Sequence, residues 1–204
     1  MRKSFIGVVV LAVLVSAGCV SISEQECLAG DWESIGYRDG AEGHDRTRVL
    51  KHADACGKFD VVPDRQAYLA GWEAGLHVYC TPRKGYELGE RGRTLNEVCR
   101  NPEFSTAYYE GRALFEAKKE LRQLRASVDE LEDELVEIEQ AVGQVKTAQV
   151  AEDIGAEERV RLVAELESLV EARVLLEQEL ADMVAKAFAS EARLEELERF
   201  KPAY

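Results

Sequence analysis

The stretch "DWESIGYRDGAEG" (residues 31–43) sets two glycines, Gly36 and Gly40, four positions apart among aromatic and charged neighbours. On a helix such a pair lies on one face. Glycine inside a helix costs about 1 kcal/mol relative to alanine, so the spacing needs a physical reason. The arrangement returns in "YLAGWEAGLHVYC" (68–80), with Gly71 and Gly75, and in "YELGERGRTLNEVC" (86–99). A weaker echo is "YYEGRALFEA" (108–117). Close approach of helix to helix supplies the reason, with Trp32, Tyr37, Tyr68, Trp72 and Tyr79 packing over bare backbone. The alternative is a groove for a glycan or peptide lined by Trp32, Tyr37, Tyr68 and Trp72. Core packing is favoured over it, because aromatic side chains dominate small cores.

Helix starts around these segments are legible. Asp64 follows Pro63 and precedes "RQAYLAGWEAGL", which makes it an N-cap. Asn101-Pro102-Glu103 joins a capping residue, a proline suited to the first helical position and an acidic first turn. Thr81-Pro82 ends the preceding helix. Four cysteines punctuate the same region: Cys27, Cys56, Cys80 and Cys99. An even count suits an exported chain in an oxidising compartment, and four cysteines allow three pairings. Neighbour pairs, Cys27–Cys56 and Cys80–Cys99, are preferred because each closes a short loop. A zinc site using these cysteines with His44 or His52 is disfavoured, since no closely spaced ligand pair is present.

Taken together, "DW" (31–32), "GYRDGAEG" (36–43), Cys56, "PD" (63–64), "YLAGWEAGL" (68–76), "YC" (79–80), "GYELGERG" (85–92) and Cys99 resemble an uncharacterised family of short Gram-negative envelope lipoproteins, known as a domain of unknown function. The resemblance covers about residues 27 to 100. It implies a lipoprotein facing the periplasm and brings no activity with it.

The N-terminus agrees with that implication. Arg2 and Lys3 precede an apolar run, Phe5 to Val15, and then the small residues Ser16, Ala17 and Gly18. This reads as a signal peptide, and the run is too short to span a bilayer comfortably as a helix. Ala17-Gly18-Cys19 resembles a bacterial lipobox, although Ser16 stands where an aliphatic residue is usual. The resemblance implies cleavage before Cys19 and lipidation of that cysteine. Val20, rather than aspartate, follows it, which by the same resemblance implies sorting to the outer membrane. An ordinary secretory signal releasing a soluble protein is the competing reading.

Charge limits the partners. The chain has 39 acidic and 26 basic side chains, a net charge of −13. Nucleic acid is not expected, because phosphate binding needs a basic stripe. Catalytic chemistry is thin. Asp39, Glu42, His44 and Asp45 cluster in "DGAEGHD", which reads as a polar helix end in preference to a carboxylate–imidazole pair or a weak metal site. His77, between Leu76 and Val78, is expected to be a partly buried packing residue. No nucleophile elbow, phosphate loop or HExxH pair is present. The expectation is a protein that is not an enzyme and carries no cofactor or metal.

The second half differs in kind. No proline interrupts residues 104–200. Leu121, Leu124, Val128, Leu131, Leu135, Ile138, Val142 and Val145 alternate spacings of three and four, as a coiled-coil seam does. A second register runs through Leu162, Leu166, Leu169, Arg173, Leu176, Leu180, Met183, Ala187, Ser190, Leu194 and Leu197. Between them "EDIGAEE" (152–158) breaks the pattern, with Gly155 suited to a turn. Two blocks of about 45 residues, each roughly 65 Å long as helix, predict an antiparallel hairpin in preference to a continuous helix that dimerises.

The expected chain is therefore all-α: a signal peptide (1–18), a lipidated N-terminus and tether (19–26), a disulfide-stabilised helical domain (27–101) and a coiled-coil hairpin (102–204). Its expected role is that of a structural or interaction protein, held on the periplasmic face of the outer membrane by its lipid. It would reach a protein partner, or a second copy of itself, through the arm. The alternative role is a glycan- or peptide-binding module.

Overall fold

The computed structural model describes residues 22–204. Among these the chain is all-helical, with seven α-helices and no strand. The expected signal peptide and the expected lipidation at Cys19 lie outside the described residues. Two compact units divide between Tyr79 and Cys80. Residues 80–101, grouped by sequence with the cysteine domain, thus share a unit with the long helices.

The first unit holds α1 (Glu24–Ala29), α2 (Trp32–Ala41), α3 (Arg48–Cys56), a 3-10 turn (Gly57–Phe59) and α4 (Arg65–Tyr79). Short side chains start these helices by accepting from orphan backbone N–H groups. Ser23 and Glu26 form a reciprocal capping box on α1, and Asp31 accepts from the Ser34 N–H at 3.2 Å on α2. Asp64 accepts from the N–H groups of Gln66 and Ala67 at 2.9 and 3.0 Å, as its position predicts. The core gathers Ile22, Cys27, Trp32, Ile35, Val49, Cys56 and Tyr68, with Phe59, Leu69 and Trp72 packed against it.

Helices α2 and α4 run in the same direction and touch through their glycines. A Cβ built on Gly36 would lie 2.0 Å from the Tyr68 carbonyl oxygen, and one on Gly40 would lie 2.1 Å from that of Trp72. The contact is reciprocal: a Cβ on Gly71 would lie 1.9 Å from the Glu33 oxygen and one on Gly75 would lie 2.1 Å from that of Tyr37. No side chain other than hydrogen fits there. In exchange, glycine Cα–H groups meet carbonyl oxygens, a contact worth about 0.5–1 kcal/mol each at helix interfaces.

The second unit repeats this device. Helix α5 (Pro82–Glu90) lies beside the start of α6 (Pro102–Gln149). Gly85 faces the Phe104 oxygen, Gly89 that of Tyr108, and Gly111 that of Tyr86, with built Cβ distances of 2.3, 2.1 and 2.2 Å. The correspondence extends past the helices. Gly43 and Gly92 both adopt positive φ, +73° and +67°, and each lies against an aromatic ring, Tyr79 and Phe115 respectively. Trp72 Nε1 donates to the His44 carbonyl at 2.7 Å, and Tyr108 Oη donates to the Arg93 carbonyl at 2.9 Å. The four aromatic–glycine segments are thus two pairs of one motif.

Parallel neighbours need a connection that travels back along the first helix. Each disulfide secures such a return, joining the chain before the first helix of a pair to the chain before the second. Cys27 bonds Cys56, and Cys80 bonds Cys99. Of the three pairings that the sequence allows, the structure has the neighbour pairs.

Helix α6 continues to Gln149, and α7 (Ala156–Arg199) returns antiparallel to it. Arg125 pairs with Glu191 at 2.6 Å, Lys118 with Glu198 at 3.2 Å and Glu120 with Arg193 at 3.7 Å, which sets the direction. Every residue of the two expected seams is buried or half-buried. Leu194 and Leu197 pack against Tyr86, Ala107 and Leu114 at the base. Two local details differ from expectation. Asn101 stands at the N-cap of α6, but its amide donates to the Cys80 carbonyl at 3.0 Å instead of capping. Gly155 has ordinary negative φ at the N-cap of α7. The turn is closed by Arg159, whose guanidinium donates to the carbonyls of Gln149 and Ala151 at 2.6 and 3.0 Å and so satisfies the end of α6.

Candidate functional site

Polar chemistry in the first unit converges on Asp39, which α2 carries on the face turned to the core. Asp39 is 2% exposed and His52 fully buried. His52 Nε2 donates to Asp39 Oδ2 at 2.7 Å, and Tyr68 Oη donates to the same oxygen at 2.8 Å. Arg48, one turn before His52 on α3, brings its Nε to 3.2 Å from Oδ1. Burial opposes ionisation of Asp39, but the hydrogen bonds from His52 and Tyr68 and the adjacent positive charge outweigh it and hold its pKa below the usual carboxylate range. Burial, together with the hydrogen bond to Asp39, pushes the Tyr68 phenol well above its ordinary value. The carboxylate is held by two hydrogen bonds on Oδ2 and an ion pair on Oδ1 and is sealed from solvent. Such a network orients α2, α3 and α4 and offers no atom to a substrate.

The surface cluster next to it is open but incomplete. His44 Nε2 lies 3.0 Å from Glu42 Oε2, and single ligand atoms of Asp39, Glu42 and His44 fall within 4.8 Å of one another. Asp39 has both oxygens engaged by Arg48, His52 and Tyr68, which removes the strongest ligand from any cation. Asp45 turns to Thr47, accepting from its N–H at 2.8 Å and its hydroxyl at 2.7 Å.

The aromatic groove is not assembled. Trp32 and Tyr68 are 4% and 0% exposed and belong to the core. Trp72 is half-buried with its indole N–H engaged, leaving only Tyr37 substantially exposed, at 46%. The physical reason is the glycine contact itself, which brings the backbones so close that flanking aromatics must fold over the seam. His77 is exposed, not partly buried, because its position on α4 lies away from the face carrying Tyr68, Gly71 and Gly75.

In the second unit the equivalents of Asp39 and Tyr68 are Leu88 and Phe104, so the polar network has no copy there. A groove of about 660 Å³ opens instead at the base of the hairpin, lined among others by Tyr86, Tyr109, Glu110, Leu197 and Phe200. The C-terminal residues bind beside it. Lys201 pairs with Glu90 at 3.1 Å and lies over the Tyr86 ring, and the Tyr204 hydroxyl donates to Glu110. Sequence reasoning did not find this tail contact or the Asp39–His52 pair; neither leaves a local signal.

The largest exposed feature of the second unit is the hairpin arm. From Leu114 to Gln149 it extends about 50 Å as helix. Its flanks are acidic, with "DELEDELVEIE" (129–139) on α6. No helix among the described residues is long and apolar enough to cross a membrane.

These features define an all-helical protein of paired glycine–aromatic helices with an appended arm. Residues 31–113 match the family described as "Protein of unknown function (DUF2799)". The matched span takes in both glycine-packed pairs and ends two residues after Gly111. No curated protein and no solved structure matches the chain.

Proposed function

We propose that this chain is a lipid-anchored protein of the outer membrane, facing the periplasm, that works as a structural or interaction protein. In this reading the arm is a coiled coil that engages a protein partner, and the chain is not an enzyme. The observation that carries it is the arm itself: two helices of 48 and 44 residues, most of whose length lies beyond the DUF2799 segment. A hairpin of that length adds surface rather than core. Support for the anchor comes from the Ala17-Gly18-Cys19 sequence after an apolar run.

Two experiments test it. Photo-crosslinking residues placed at Glu132 and Glu179 on the arm, in intact cells, should capture one recurrent protein partner, whereas the same residue at Lys51 in the first unit should not. Equal capture from all three positions, or none from the arm, removes the interaction role. Palmitate labelling should mark the native chain and be lost in Cys19→Ala. A Cys19→Ala chain that keeps both the label and outer-membrane fractionation refutes the anchor.

A further inference from the structure

Helix α7 carries a second apolar stripe that α6 does not cover. Val160, Val163, Val170, Val174, Val184 and Phe188 are exposed by 71, 49, 39, 42, 47 and 74%. With Glu167, Glu177 and Ala181, all exposed, they complete an unbroken 3-4 spacing from 160 to 188. This is the period of a helix–helix seam. It runs beside the buried seam of Leu162 to Ser190, offset by one residue. Helix α6 has no counterpart: between Leu114 and Gln149 its one exposed large hydrophobic residue is Val136. Of the exposed large hydrophobic residues of α7, Leu175 alone lies off the stripe.

We propose that this stripe is the interface for a second copy of the chain, the two α7 helices packing antiparallel into a four-helix arm. The proposal deepens the interaction reading above and rests on it by naming one partner for the arm.

Three features select a second copy. The stripe covers about 42 Å of helix and has the 3-4 period that only another helix with the same period can match along its length. Its two glutamates then decide direction. Parallel pairing in register would set Glu167 against Glu167 and Glu177 against Glu177, two like-charge contacts in an apolar seam. Antiparallel pairing offers a register that avoids both: Val163 faces Phe188 of the second copy, Glu167 faces Val184, Val170 faces Ala181 and Val174 faces Glu177. Arg173 already pairs with Glu177 within the chain at 3.3 Å, which moderates the charge nearest the middle. Area is sufficient. A Val, Leu or Phe side chain offers on the order of 60–120 Å² of apolar surface, so six at about half exposure contribute roughly 300 Å² per copy. With apolar surface near 60% of an interface, the total is about 1,000 Å², at the threshold for a specific contact.

The test uses the full-length chain purified in non-ionic detergent. Two populations, one carrying Val163→Cys and the other Phe188→Cys, are mixed and oxidised. The expected product is a disulfide dimer joining the two variants, with little joining of either variant to itself. Sedimentation should give a dimer at tens of micromolar, and Val170→Gln with Val174→Gln should weaken association at least tenfold while leaving helicity unchanged. Those valines are exposed, so the substitutions leave the hairpin core intact. Joining of Val163→Cys to itself would establish a parallel pair and overturn the register. A monomer with no mixed product would overturn the second copy as occupant. That failure is separate from failure of the broader reading, because the Glu132 and Glu179 crosslinks would still identify a different protein on the arm.

Discussion

Replacing Gly71 by alanine tests the glycine interface directly. The new Cβ would stand 1.9 Å from the Glu33 carbonyl oxygen, with the Tyr37 amide nitrogen at 2.9 Å. Both are backbone atoms of α2, so no side chain can rotate to make room. The helices must separate by more than 1 Å, a rough figure from ordinary carbon–oxygen contact. That shift would loosen Gly36, Gly40 and Gly75 together and stretch the Tyr68–Asp39 hydrogen bond. Overpacking a core costs about 1–3 kcal/mol, and a rigid backbone contact belongs at the upper end. Alanine returns about 1 kcal/mol in helix propensity. The net expectation is a loss of about 2 kcal/mol, or roughly 8–16 °C in the melting temperature of a unit this small. Both tryptophans, Trp32 and Trp72, lie in the first unit, so tryptophan fluorescence follows its unfolding apart from the long helices that dominate circular dichroism. Gly143→Ala is the control. It lies in α6 with nothing within 4 Å of its built Cβ, and should stabilise by up to about 1 kcal/mol. An unchanged or raised fluorescence midpoint for Gly71→Ala would show that the interface tolerates a methyl group and that the reasoning from backbone contact is wrong.

Other expectations follow from the same structure. Asp39→Leu should cost the first unit about 3–5 kcal/mol, because it strands buried partners; adding Tyr68→Phe should recover part of that loss, as Leu88 and Phe104 coexist in the second unit. Additive losses in a double-mutant cycle would contradict the network. Acid should weaken the first unit. Asp39 and Glu26 both have folded pKa values below their unfolded ones, Glu26 falling from 4.5 to about 2 because the Ser23 N–H and Arg38 donate to it. The Glu26 contribution is present above about 4.5 and is lost as pH falls toward about 2, and that of Asp39, also lowered on folding, is lost on acidification in the same sense. The fluorescence midpoint should drop over that window, and a flat profile would refute it. The disulfides close separations of 29 and 19 residues, each worth about 3–4 kcal/mol by chain entropy. Reduction should lower both melting transitions, and alkylation of the unreduced protein should label none of Cys27, Cys56, Cys80 and Cys99.

What the sequence determined by itself is what is encoded over short distances. Helix starts at Asp64 and Pro102 are written in adjacent residues. Both hairpin seams follow from a spacing of three and four, and the break at 152–158 predicts the turn. Glycines four apart announced close packing, because no isolated helix gains from them. Tertiary structure decided the choice of partners. Four similar aromatic–glycine segments admit several pairings, and only the fold joins α2 with α4 and α5 with α6. Asp39, His52 and Tyr68 meet across sequence separations of 13 and 29, where no local pattern links them. The alternative of a groove lined by Trp32, Tyr37, Tyr68 and Trp72 was settled the same way: composition places aromatics near glycines, but how closely two backbones approach decides whether a ring faces water or the core. The second stripe on α7 was present as spacing all along. It acquired meaning once α6 had taken the other face, since a helix has more apolar positions than one neighbour can cover, and only packing shows which are left.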